Sequence, residues 1–153
     1  MKKLLVVANT PSPNTARRAS AVLQGAQHPE IEHVSTTLLT PFEATPEDVK
    51  SSAGIILGTT ENLGYMSGAL KDFFDRLYYP CLEETQGLPC ALYIRAGHDG
   101  TGTRRAVETI VTGLKWKWVR PPLTLRGEFQ ESFVQECKEL GTLIAASLDA
   151  GII

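Results

Sequence analysis

Apolar runs of strand length alternate with amphipathic helical patterns along the whole chain, and no other feature restricts the fold as much. Residues 3–8, 33–39, 53–58, 89–95 and 123–125 read as strands. After the first comes a helix with Ala16, Ala19, Val22, Leu23 and Ala26 on one face. Thr45-Pro46-Glu47-Asp48 reads as a second helix start, with Thr45 as cap, Pro46 in the first helical position and acids in the first turn. Leu70, Phe73, Phe74 and Leu77 mark a third helix, which Pro80 is expected to end. A fourth carries Ala106, Val107, Ile110, Val111 and Leu114, and the last runs through Phe133, Val134, Cys137, Leu140, Ile144 and Leu148. Strands separated by helices imply βαβ units, hence an α/β domain whose parallel sheet is covered on both faces.

The remaining bulk properties mainly exclude. A chain of 153 residues fits one domain, with no repeat or linker to divide residues 1–153. A net charge of −2 gives no basic stripe for a nucleic acid, and Lys115-Trp116-Lys117-Trp118-Val119-Arg120 reads as an alternating strand or its approach. Cys81, Cys90 and Cys137 lack CxxC or zinc-site spacing, so they are expected as free thiols in a reducing compartment, with no metal site. The apolar run at residues 3–8 is too short for a signal peptide and no stretch reaches membrane-spanning length. A cytoplasmic protein without a membrane or nucleic-acid partner is the expectation.

In an open parallel sheet, ligands bind beyond the carboxyl ends of the strands, where the strand order reverses. Residues 10–15, 59–68 and 96–103 are the loops at those ends, and the second is expected to be polar and irregular. Thr10-Pro11-Ser12-Pro13-Asn14-Thr15 sets hydroxyls and an amide at a helix start. That composition serves a plain helix cap, and it equally serves a phosphate held at the positive end of the helix dipole. Arg17 and Arg18 follow inside the helix and read as solvated surface that adds only long-range attraction.

Other chemistries on this topology fail on particular residues. Gly58-Thr59 stands where a receiver domain needs a phosphorylatable Asp, and there is no GK[ST]. Gly97-His98-Asp99-Gly100-Thr101-Gly102 lacks GxGxxG spacing and follows the fourth strand, not the first. Neither Cys81 nor Cys90 begins the Cys-x5-Arg pattern of a low-molecular-weight phosphatase.

Taken together the three loops resemble the flavodoxin-like family. Residues 10–15 are similar to its phosphate loop [ST]-x-[ST]-G-x-T. Residues 58–76, which include Gly58-Thr59, Gly64, Met66 and Leu70-Lys71-Asp72-Phe73-Phe74-Asp75-Arg76, are similar to its stretch G-[ST]-P-x-x-x-G-x-[MI]-x-x-x-[LM]-K-x-F-x-D-R. The resemblance implies a single flavodoxin-like domain, a three-layer sandwich on a five-stranded parallel sheet of order 2-1-3-4-5. It also implies FMN, its phosphate against Thr10, Ser12, Asn14 and Thr15. Its ring would lie between Thr59, Thr60, Glu61, Asn62, Leu63 and Gly64 on one side and Gly97, His98, Asp99 and Gly100 on the other. Three departures stand out: Pro13 replaces the loop glycine, Thr60 replaces a proline, and the third loop has no aromatic residue to cover the ring.

An uncovered ring and a nearly neutral charge suit an NAD(P)H-dependent oxidoreductase that takes a small-molecule donor and passes electrons to quinone or another small acceptor. Homo-oligomerisation accompanies that reading among related reductases. A flavodoxin-type electron carrier without its own turnover is the alternative, and a cofactor-free binding module is the second. His98 is the one acid/base candidate beside the ring, with backbone contact alone as its plainer role.

Overall fold

Strands and helices alternate through residues 1–153 of the computed structural model: β1 (Lys2–Ala8), α1 (Pro13–Ala26), β2 (Val34–Leu39), α2 (Pro46–Lys50), β3 (Gly54–Asn62), β4 (Tyr65–Met66), α3 (Gly68–Cys81), β5 (Pro89–Ala96), α4 (Thr101–Leu114), β6 (Lys117–Trp118), β7 (Leu123–Arg126) and α5 (Glu131–Asp149). The sheet order is β2-β1-β3-β5-β6, with β7 also paired to β5. All of these pairings are parallel. With β6 and β7 taken as two pieces of one edge strand, this is the expected five-strand order.

The two pieces fall within residues 115–120, read as an alternating strand or its approach, and at residues 123–125, read as a strand. Between the registers Cys90↔Trp118 and Tyr93↔Leu123, β5 has two residues and the edge strand has four, among them Pro121 and Pro122. Proline has no N–H for a ladder and is tolerated at an edge, so the strand bulges there and resumes at Leu123. Residues 59–68 also differ from the expected irregular loop. β3 continues to Asn62, turns through Leu63 and Gly64 at φ 52° and 75°, and returns antiparallel as β4. Two positive φ angles in a two-residue hairpin turn match the right-handed twist of the strands. α3 runs one residue beyond Pro80 before ending.

Period-two burial divides the core between the faces. Leu5, Val7, Ile55, Leu57, Leu92 and Ile94 pack under α3 and α4 with Phe73, Phe74 and Val111. Leu4, Val6, Ile56, Ala91 and Tyr93 pack under α1 and α5 with Val22, Ile144 and Leu148. The three cysteines are free and buried, and burial pushes the Cys137 thiol up to about 12. No helix is long and apolar enough to cross a membrane.

α1 and α5 touch backbone to backbone. A Cβ at Gly141 would lie 2.0 Å from the Val22 carbonyl oxygen, and one at Gly25 would lie 2.0 Å from that of Lys138. The Thr142 hydroxyl donates to the Gly25 carbonyl at 2.9 Å across the same seam. Gly141→Ala must therefore push the helices apart and is expected to cost about 1–3 kcal/mol. Urea unfolding measures this, and an unchanged midpoint would contradict the close packing.

Candidate functional site

Because β1, β3 and β5 run parallel side by side, the segments that follow them emerge at one edge. The first is the entry to α1. There the Ser12 N–H donates to Thr15 Oγ1 at 2.9 Å, the Thr15 N–H donates to Ser12 Oγ at 3.2 Å, and the Thr15 hydroxyl contacts the Ser12 carbonyl at 2.9 Å. This reciprocal pair is a capping box. Pro13 occupies the first helical position, where an N–H has no intrahelical acceptor in any helix, so the ring removes a donor the helix did not use. Ser12 and Asn14 are exposed, Thr10 is half-buried and Thr15 is buried. The cap is thus made, and the helix start is still presented to solvent.

The second segment is the hairpin. Thr59 and Thr60 are buried, and their hydroxyls are engaged within the protein. Thr59 Oγ1 accepts the Ser67 N–H at 3.1 Å, while Ser67 Oγ accepts the Leu70 N–H and caps α3. The Thr60 hydroxyl meets Asn62 Oδ1 at 2.9 Å. These threonines shape the hairpin and leave Asn62, Leu63, Gly64 and Tyr65 exposed at its tip. The tip rests on α4: the Thr103 hydroxyl donates to the Tyr65 carbonyl at 2.9 Å, and a Cβ at Gly102 would lie 2.0 Å from the Gly64 oxygen.

The third segment is tied to the second through one carboxylate. Glu61 Oε1 accepts the His98 N–H at 2.7 Å and Oε2 accepts the Gly100 N–H at 2.8 Å. Charge-assisted bonds to two amides of one short loop hold that loop against the hairpin. Arg126 Nε donates to the His98 carbonyl at 3.0 Å from the other side. Gly97, His98 and Asp99 are exposed, and the contacts of His98 are made through its backbone. Asp99 accepts the Thr101 N–H at 3.1 Å, and that bond, with the Thr101 hydroxyl and then Arg126 behind it, holds its carboxyl below the usual range.

All fourteen residues expected at the site therefore lie along one edge, but they divide by role. Ser12, Thr15, Thr59, Thr60 and Glu61 are spent on internal bonds that set loop shape. Thr10, Asn14, Asn62, Leu63, Gly64, Gly97, His98 and Asp99 face or border solvent, and Gly100 is buried beneath its loop.

Arg17 lies on the solvated surface as expected and pairs there with Glu131 at 2.7 Å, whereas Arg18 departs from that role. Arg18 is 2% exposed, and its Nε has no hydrogen-bond partner. Its guanidinium carbon lies 5.5 Å from the ring centres of both Phe129 and Phe133. Sequence spacing held the signal, since Arg18 precedes Ala19 and sits four residues before Val22 on the buried face. Tyr93 was also missed. Its ring crosses Gly58 so closely that a Cβ there would lie 2.3 Å from the phenol oxygen.

Glu61→Gln puts an amide where the loop needs a second acceptor. It is expected to cost about 1–3 kcal/mol and to speed hydrogen exchange at the His98 and Gly100 amides. Unaltered exchange at both amides would contradict the clamp.

No family model matches the chain. It is 32% identical over 114 residues to a flavodoxin of Aquifex aeolicus (strain VF5), a match that covers 74% of this chain and spans 60% of that relative's length. Among solved structures it is similar to a flavodoxin from the domain Archaea, with a TM-score of 0.80 at 22% identity over 95% of this chain and 97% of that one. It is also similar to the flavodoxin, WrbA-like protein of Agrobacterium tumefaciens, with a TM-score of 0.74 at 17% identity over 95% of each chain. Sheet order and sequence likeness lead separately to the same place: the chain belongs to the flavodoxin-like family.

Proposed function

We propose that the chain binds FMN across these three segments and works as an NAD(P)H-dependent oxidoreductase, passing electrons to quinone or another small acceptor. The observation that carries the reading is the convergence of the α1 entry, the hairpin tip and residues 97–100 on one sheet edge at the strand-order reversal. The residues present fit the group. Exposed Asn14 at the start of a 14-residue helix offers donors to a phosphate, and the Glu61 clamp gives residues 97–100 a preset shape beside the hairpin. FMN, when bound, supplies the hydride and electron chemistry.

The chain's own residues then position and select. Leu63, fully exposed at the hairpin tip, and Tyr65 offer an apolar flank on one side. On the other side stand glycines and a histidine, with no large aromatic cover, so a second planar molecule has room to approach. His98 would hold or give a proton at its imidazole, which makes no hydrogen bond within the protein along an exposed loop.

An electron carrier without turnover of its own is the second reading, supported by the flavodoxin name of the sequence relative and of both structural neighbours described above. Purified protein is expected to be yellow, with flavin absorption that survives gel filtration. The FMN-loaded protein is expected to oxidise NADPH with quinone or dye acceptors faster than free FMN. Turnover no greater than that of free FMN would leave the carrier, and a colourless protein that takes up no FMN would remove both readings.

A further inference from the structure

We infer that Arg18 is a buried counter-charge for a phosphate bound at the start of α1, and that it makes the site select phosphorylated flavin over riboflavin. This rests on the flavin reading above and adds to it the residue that recognises the phosphate's charge.

A guanidinium stays protonated at any physiological pH, and burying one without a partner is costly. Arg18 is 2% exposed, forms no ion pair, and leaves its Nε without a hydrogen bond. Its surroundings are the rings of Phe129 and Phe133, with Tyr93, Cys137 and Arg95 close by. Arg95 is a second cation and has no ion pair either, and Glu131, which stands between Phe129 and Phe133 in sequence, is already paired with Arg17.

Position explains what could balance them. Arg18 shares the inner face of α1 with Thr15, one turn nearer the N-terminus, and a helical side chain leans toward that end. Phe129 and Phe133 flank the start of α5, whose first residue Glu131 is held by Arg17 of α1. The Arg18 head therefore lies between the N-terminal ends of two parallel helices, both of which favour an anion. Its charge, packed against two aromatic rings one helical turn from Thr15, acts on a dianion at residues 10–15 without touching it. Riboflavin has no phosphate and gains nothing.

The test is flavin fluorescence titration of the full chain, with Arg18→Met to remove the charge at similar length and Arg18→Lys to retain a charge. Wild type is expected to bind FMN far more tightly than riboflavin. Arg18→Met should lose about tenfold or more in FMN affinity with riboflavin affinity unchanged, and Arg18→Lys should recover most of the loss. An Arg18→Met protein whose FMN-to-riboflavin preference stays within about twofold of wild type would overturn the inference while the flavin reading stands.

Inorganic phosphate separates the two further. A rise in Tm with phosphate in wild type, absent in Arg18→Met, supports the counter-charge even if no flavin binds. No response to phosphate and no flavin preference would overturn it. Since a buried cation is exchanged for an apolar side chain, Arg18→Met is expected to fold with an undiminished Tm, and Arg18→Gln serves as a second neutral variant.

Discussion

The parallel pairing of β3 with β1 on one side and β5 on the other is the constraint on which the rest of the molecule depends. It brings together three segments that are far apart in sequence, and it continues past the regular strands: the Asn9 N–H donates to the Gly58 carbonyl at 3.0 Å, so the first segment is anchored to the central strand before it turns into α1. At the same level Tyr93 lies flat across Gly58, a contact that no other residue type at position 58 permits.

Much of this architecture was written in the sequence because burial on both faces makes parallel strands read as unbroken apolar runs. Residues 53–58 and 89–95 could hardly be anything else. Thr45-Pro46 likewise announced α2, and the structure adds the reciprocal bond of Asp48. What escaped was local geometry imposed by neighbours. The β3–β4 hairpin turns on Leu63-Gly64, and a leucine at positive φ carries none of the signal that Asn-Gly would. Pro121 and Pro122 mark a bulge between the two paired pieces of the edge strand.

The site was legible in outline and not in roles. Residue types at loop positions foretold which side chains lie at the edge, since binding groups gather on loops held by a rigid sheet. They did not foretell that Thr59, Thr60 and Glu61 bond inward, because their partners Ser67, Asn62, His98 and Gly100 are set by folding. Arg18 shows the same limit in reverse. A charged residue between a small threonine face and Val22 suggests snorkelling to water, yet α5 and Phe129 close over it. Loop shape thus comes from polar residues whose bonds are made within the chain.

If the three segments form one binding surface, amide hydrogen exchange of the full chain with saturating FMN will show added protection together at residues 10–15, 61–64 and 97–100, with the far end of the sheet unchanged. Protection confined to one of these segments, or centred on the bulge around Pro121 and Pro122, would contradict it.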